Sequence, residues 1–422
     1  MPEPGTNEAR KRGRKGAFTQ KDLTRLKIIG RFREVLAEVL ERPGMRVARS
    51  FADARRLLSL GDYLSLWLLA AFHPVTRTLR GLIRASWMPR VQSEVCSRAV
   101  SAGSFSEAQA LVEPALLEAL FGHLCGQLPQ HAPRVGSPLR AASRQRWLVR
   151  DSSLFPALPR MSWAFFGAGR AGVSSAVRLH ITFELLRDAP TQASITPGKS
   201  CERAVLREDL EPGAAYIGDR YFGEHHAFLT YLSRRGCRYL IRLWDCGVRP
   251  AIEQELPLST QDAVHGVLRQ AWVRLGSSKN GTLSERLRLI QVRGCAGQDI
   301  RLVTNLPPEE LSAADAALLY KERWQVEYFF RWLKCLLGDG QWHWLAESPK
   351  GVAIQLYTTL IASVLLQLDI GRRPSKRIWE MMRWHMAGMM DEQTLKRLIA
   401  RQLACEAAER QRRIAKKSIF SA

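Results

Sequence analysis

The apolar residues of this chain change their period twice, and no single layer of structure can accommodate both patterns. Over roughly the first 130 residues they recur every three or four positions, as in Leu23, Leu26, Ile29, Phe32, Leu36 and Leu40, the spacing of helices with one buried face. Thr19-Gln20-Lys21-Asp22 reads as a capping box for the first helix, and further helices are expected at about 52–88 and 105–128. From Arg146 short strand-like runs take over: Trp147 to Asp151, the alternating Ala176 to Phe183, Ala215 to Asp219, and Cys237 to Leu243 after a helix over 224–235. Segments Ala271–Leu275, Arg286–Val292 and Ile300–Thr304, separated by Gly, Ser and Asn turns, read as a small all-β insertion. After Pro307-Pro308 the helical period returns almost to the end. Strands and helices in mixed order predict an α/β fold, with helical regions on both flanks.

Charge narrows the partner. Lys and Arg total 63 against 40 Asp and Glu, a net charge of +23, which points to a polyanion, nucleic acid before an anionic membrane. Residues 10–49 alone hold thirteen Lys or Arg, starting with Arg10-Lys11-Arg12-Gly13-Arg14-Lys15, either a solvated arm or direct phosphate contacts. The longest apolar run, Gly351 to Ile370, has the length of a membrane span but carries Gln355, Gln367 and Asp369, which suits a buried helix better. No apolar segment follows the basic N-terminal run, so a secretory signal is not expected and a cytoplasmic, nucleoid-associated protein is. The eight cysteines form no CxxC pair and read as reduced thiols.

The residues that carry chemistry are acids. Asp151 and Asp219 each follow an apolar run, and strand ends in α/β sheets are where sites are built. On a helix at ~100° per residue, Tyr320, Arg323, Glu327 and Lys334 share an arc of about 60° beside an apolar stripe, while Glu322 falls outside it. An ion-paired stripe at the edge of a buried face is the bland reading of these four. Two aspartates and a glutamate brought together cannot all ionise cheaply without cations, and hard divalent ions, Mg²⁺ first, are the natural partners. Two such ions ~3.5–4 Å apart can clamp the attacking and leaving oxygens of a phosphoryl displacement.

The pattern Tyr320-x2-Arg323-x3-Glu327-x6-Lys334 resembles the signature of bacterial insertion-sequence transposases with a DDE triad, of the insertion-sequence-four type. The stretches RDSSLF at Asp151, AYIGDRYFG at Asp219 and VTNLP at Val303 to Pro307 resemble further segments of that family, in its order. The chain departs from the pattern where Asp219-Arg220 runs directly into Tyr221 without the family's intervening glycine. The resemblance implies a ribonuclease-H-like core interrupted by a β insertion, with Asp151, Asp219 and Glu327 as catalytic residues binding two Mg²⁺, for which Mn²⁺ substitutes. It implies that Tyr320, Arg323 and Lys334 hold transposon-end phosphates, and that the 3′ strand is hydrolysed before the freed 3′-OH attacks target DNA. Arg220, Arg12, Arg14 and Lys15 join the DNA-binding candidates. Trp272 has two readings, a stacking surface for an extruded base, as in some relatives, or core of the insertion. His180 and the adjacent His225-His226 read as structural.

The divisions expected are a basic helical DNA-binding region over 1–135, catalytic core over 140–243 and 307–370, a β-rich insertion over 244–306, and a basic helical C-terminal region over 371–422. The partners expected are double-stranded DNA and a second copy of the chain, with no membrane. A metal-dependent nuclease without strand transfer and a non-catalytic repressor are the rivals; three converging acids argue against the repressor.

Overall fold

The computed structural model describes residues 28–45, 51, 58–72, 76, 78–130, 145–169, 172–245, 248–277, 281–282, 285–294, 298–338 and 343–419. The capping box at Thr19 and the candidates Arg12, Arg14 and Lys15 lie outside them. Among the described residues six helices come first: α1 (Ile28–Leu40), α2 (Leu60–Phe72), α3 (Leu79–Ala85), α4 (Pro89–Glu94), α5 (Ala102–Leu111) and α6 (Pro114–Gln127). The helix expected at 105–128 is two, because Pro114 takes the first turn of α6 and cannot continue α5. Of α1, Ile29, Phe32 and Leu36 are buried as their spacing predicts.

The middle of the chain builds one sheet. Its strands are β1 (Trp147–Ala157), β2 (Phe165–Gly169), β3 (Gly172–Glu184), β4 (Ala189–Pro197), β5 (Ala215–Gly223), β6 (Arg238–Leu243), β7 (Arg249–Glu255), β8 (Val267–Ser277), β9 (Gly281–Thr282), β10 (Leu287–Val292) and β11 (Ile300–Thr304). The order is β2-β3-β1-β5-β6-β11-β10-β8-β7, with β4 on β3 and β9 on β8. The pairs β1–β5 and β5–β6 are parallel, and helices α7 (Glu202–Glu208) and α8 (His226–Arg234) lie in the connections leading into β5 and β6. The strands over 244–306, expected as a β-rich insertion, continue this same sheet. β11 pairs with β6 through Thr304↔Leu240, and β10, β8 and β7 continue outward from it, with the short helix α9 (Thr260–Val264) among them.

Cross-strand partners give each face of this sheet a row. Val149, Ile217, Leu240, Thr304, Arg288 and Trp272 follow one another from β1 to β8 on one face. Val149, Ile217 and Leu240 join the large core that also holds Phe329 and Leu360; Leu148, Tyr216 and Tyr239 point the other way and join Phe228, Leu229 and Leu232 of α8. Burial on both faces explains why the parallel strands read as unbroken apolar runs.

Among the described residues five helices follow: α10 (Ala313–Glu322), α11 (Trp324–Gly338), α12 (Pro349–Ile370), α13 (Lys376–Met386) and α14 (Glu392–Ile419). α12 is the long apolar run, and 94% of its most apolar window is buried inside the protein. Gln355, Gln367 and Asp369 each find a partner there, although Asp369 Oδ2 is left without one among the described residues. Gln355 accepts from the Leu345 N–H at 2.9 Å and donates to the His343 carbonyl at 2.9 Å, Gln367 donates to the Arg187 carbonyl at 3.1 Å, and Asp369 pairs with Arg31 of α1 at 2.8 Å. Ser348 caps its start and Gly371, at φ 73°, ends it in the left-handed region.

Candidate active site

The site begins where β1 and β5 part. Their parallel ladder runs Trp147↔Ala215, Leu148↔Tyr216 and Val149↔Ile217, and no pair follows. Asp151 and Asp219 stand two residues beyond the last pair, level with each other, on the face that carries Val149 and Ile217. Neither strand ends at its aspartate as the sequence predicts. β1 continues to Ala157 along β3, and β5 continues to Gly223. The carboxylates therefore occupy a crevice opened by strands that diverge.

Local backbone shapes the second aspartate. The β5–β6 ladder slips after Gly218↔Ile241 and resumes at Gly223↔Leu243, so residues 219 to 222 arch outward as a bulge. The Tyr221 N–H donates to Asp219 Oδ1 at 3.0 Å, closing the turn without the glycine that the family pattern places there. Gly223 is required instead, because a Cβ there would meet the Arg242 carbonyl oxygen at 2.1 Å.

Glu327 arrives from the helix side. Val326, Phe329, Phe330 and Leu333 of α11 are buried in the same core as Val149 and Ile217, which lays the helix across the crevice face. The expected continuous helix is broken at Arg323, where three-residue hydrogen bonds (Arg323 N–H to the Tyr320 carbonyl and Val326 N–H to the Arg323 carbonyl, both 3.2 Å) tighten the chain between α10 and α11. Arg323 spans two of the acids: it donates to Glu327 Oε1 at 2.7 Å and stands 3.7 Å from Asp151 Oδ2, the three side chains being 12%, 26% and 21% exposed. Burial pushes the Asp151 carboxyl up to about 7; Asp219 and Glu202 add to this, while the Ser152 N–H and Arg323 oppose it. Burial also raises the Tyr320 phenol, with Arg323 opposing.

The structure thus brings Asp151, Asp219, Tyr320, Arg323 and Glu327 together. Lys334, two helical turns on, is exposed, with its Nζ 5.3 Å from the centre of the Phe155 ring, on the same side of β1 as Asp151. Arg220 is exposed and stacks over Trp244 at 4.9 Å. Trp272 is half-buried, neither core nor open, with the Arg286 guanidinium 5.0 Å over its ring. It shares the face of the acids but lies four strand spacings, ~19 Å, from β5. His180 is a satisfied core histidine against Thr196 at 2.9 Å, and His226 is buried while His225 is exposed. Two of the N-terminal bases serve the fold: Arg31 pairs with Asp369 and Arg33 with Asp62 at 2.5 Å. Of the cysteines described, Cys96, Cys125 and Cys237 are buried, Cys335 is half-buried, and Cys201 and Cys405 are exposed.

Among the described residues, no three His, Cys, Asp or Glu side chains stand close enough to hold a metal ion as they are. The Arg323 guanidinium supplies a counter-charge to both Asp151 and Glu327. Three acids on one crevice, one of them desolvated toward neutrality, are a donor set suited to a hard divalent cation. Sequence reasoning missed Glu202 behind β1, because the helix that carries it is too short to show in the periodicity.

Comparison with known proteins places the chain in a family. The chain is 28% identical over 265 residues to a Sinorhizobium fredii protein assigned as a transposase, covering 62% of this chain and 70% of that one. It is 24% identical over 322 residues to a protein of Geobacillus stearothermophilus assigned as the transposase of an insertion sequence element, covering 76% and 79%. The cryo-EM structure of the piggyBac transposase synaptic complex with hairpin DNA aligns over 91% of this chain and 79% of its own at 11% identity and a TM-score of 0.39, too remote to bear on the site. A family model described as the transposase DDE domain matches residues 142–365, more than half of the chain, a span within which Asp151, Asp219 and Glu327 lie. The chain belongs to the DDE transposases of bacterial insertion sequences.

Proposed function

We propose that this transposase binds the ends of its element as double-stranded DNA, hydrolyses the 3′ strand there, and joins the freed 3′-OH to target DNA. The observation that carries the reading is the level placement of Asp151 and Asp219 where β1 and β5 diverge, with Glu327 tied to Asp151 through Arg323. Asp151, Asp219 and Glu327 would hold two Mg²⁺ ions, or Mn²⁺ in their place, whose contribution is to neutralise charge on the attacking and leaving oxygens. The chain's own groups do the rest. The Arg323 guanidinium, a cation beside Asp151 and Glu327, would hold a phosphate oxygen next to the acids. Tyr320 stands next to it at the end of α10, and Lys334 lies on α11 about 10 Å along the axis from Glu327, where it would hold the strand farther from the scissile phosphate. The core fits a ribonuclease-H-like arrangement, three antiparallel strands (β4, β3, β1) continued by two parallel ones (β5, β6), with one aspartate on β1 and one on β5.

The end complex would be a homodimer acting on DNA in the nucleoid, with both basic termini on DNA and with no membrane involved. Residues 1–135, 140–243 with 307–370, and 371–422 would serve as end-binding, catalytic and basic C-terminal regions, and 244–306 as a β-rich insertion that extends the sheet outward. A gel assay on labelled element ends with Mg²⁺ tests the reading. Asp151→Asn, Asp219→Asn and Glu327→Gln should each abolish cleavage while end binding persists. Substantial cleavage by any of them removes that residue from the triad, and cleavage by the parent without joining would leave a nuclease.

A further inference from the structure

Asp151 is flanked in sequence by two residues whose side chains leave the opposite face of β1. Arg150 donates to Asp209 Oδ2 at 2.5 Å, and Ser152 Oγ donates to Glu202 Oε1 at 2.6 Å. Those two acceptors mark the ends of α7: Glu202 is its first residue and Asp209 its C-cap. Arg178 of β3 closes the Ser152 end, donating to Ser152 Oγ at 2.9 Å, to Glu202 Oε1 at 2.6 Å and to the Gly198 carbonyl at 3.0 Å. The Ser152 hydroxyl thus has both its donor and an acceptor lone pair engaged, and the Ser152 N–H donates to Asp151 Oδ1 at 2.8 Å.

We propose that α7 is a rear brace for the active site, in which Glu202 and Ser152 are positioning residues that set the orientation of the Asp151 carboxylate. The need for a brace follows from the topology. Beyond Val149, β1 has lost its β5 neighbour and is held by β3 alone, at the very residues that must present an acid to the crevice. Side chains 150 and 152 reach back to the two ends of one helix, so residue 151 is fixed from behind where the ladder no longer fixes it from the side. With Ser152 pinned between Glu202 and Arg178, its N–H stays on Oδ1 and leaves Oδ2 toward Arg323 and the crevice. A contact made only to hold α7 would not need the hydroxyl, since Arg178 and Glu202 already pair directly. The inference rests on reading Asp151 as a catalytic acid.

The test uses the full chain with Ser152→Ala, Glu202→Gln, Ser152→Thr and Asp151→Asn. Three quantities are read: cleavage of element ends against Mg²⁺ concentration, Mn²⁺ binding by loss of the free-ion EPR signal without DNA, and the thermal midpoint. Ser152→Ala and Glu202→Gln should each cleave about tenfold or more slowly and bind Mn²⁺ correspondingly more weakly, the scale seen when a group that orients a metal-binding carboxylate is lost. Their melting should change little, and Ser152→Thr should recover most of the rate. Parent-like cleavage and Mn²⁺ binding in folded Ser152→Ala and Glu202→Gln, with Asp151→Asn inactive, would overturn the brace and leave the site intact. Parent-like cleavage by Asp151→Asn would overturn the site itself. Losses that track melting in both variants and are not recovered in Ser152→Thr would show the contact to be structural only.

Discussion

Removing Arg323 should do more than weaken DNA contact; it should invert the effect of a second substitution four residues away. Arg323 is the counter-charge shared by Glu327, at 2.7 Å, and Asp151, at 3.7 Å. Exposed ion pairs are worth ~0.2–1 kcal/mol and breaking a buried one costs ~3–5 kcal/mol; side chains 12–26% exposed fall between, so Arg323→Ala should cost about 2–3 kcal/mol. For a cooperative unit the size of the matched span, 142–365, that is roughly 5–10 °C of thermal midpoint. Glu327→Gln in the parent should also destabilise, because it takes one partner from Arg323. In the Arg323→Ala background the same change should be neutral or stabilising, because it removes a half-buried carboxylate that has lost its cation. The measurement is a four-protein thermal cycle in EDTA, repeated in Mg²⁺. The Arg323→Ala protein should gain more from Mg²⁺ than the parent, since its carboxylates no longer compete with a guanidinium. Additive effects in EDTA, with a coupling under about 0.5 kcal/mol, would refute the shared-cation reasoning.

Three other outcomes are expected. Lys334→Ala should weaken binding to cleaved-end DNA more than to random duplex, as read by competition gel shift; equal losses on both would make it a general phosphate contact. Because α1 is part of the core, the N-terminal arm should be tested by deleting residues 1–27, which should lower the slope of log affinity against log salt by about 0.9 for each phosphate that the arm neutralises. An unchanged slope would mean the arm touches no DNA. His180 is buried and held down to about 3 by burial and by the nearby Arg150 and Arg178, against 6.5 when unfolded. The unfolded chain alone takes up that proton as pH falls below 6.5, so stability should be lost progressively toward pH 3, by about 2 kcal/mol at pH 5. His180→Gln should flatten that part of the stability profile, and an unaltered profile would count against it.

What the sequence made legible depends on how local the cause is. β6, β10 and β11 appear close to where their alternation placed them, since each is an apolar run between turns. The burial of α12 was readable because Gln355, Gln367 and Asp369 need partners that a bilayer does not supply. The length of β1 was not readable: Ser152, Ser153 and Pro156 look like the end of a strand, and only β3 and α7 show why it continues. Nor was the fate of residues 244–306, because β6–β11 pairing joins residues some sixty apart and leaves no trace in period. The helical wheel grouped Tyr320, Arg323 and Glu327 correctly, yet it could not show the break at Arg323. It also could not show that Lys334, about 10 Å along the axis from Glu327, would not reach the acids.

The acids and the net charge of +23 pose opposite demands, and the backbone resolves them. Carboxylates on the surface of a DNA-binding protein would repel the phosphates that the bases attract. Sunk in a crevice, they lose hydration, and Asp151 moves toward neutrality accordingly. The crevice exists because β1 follows β3 while β5 bulges away along β6, a divergence set by strand pairing and by the close approach of Gly223 to Arg242. Arg323 lies among the acids, less exposed than either carboxylate it pairs with, so the cation that tempers their repulsion of phosphate is held inside the crevice. Replacing Gly223, which touches neither acid, should disturb the site as much as replacing an acid's neighbour, because it would force β5 and β6 apart and shift the bulge that carries Asp219.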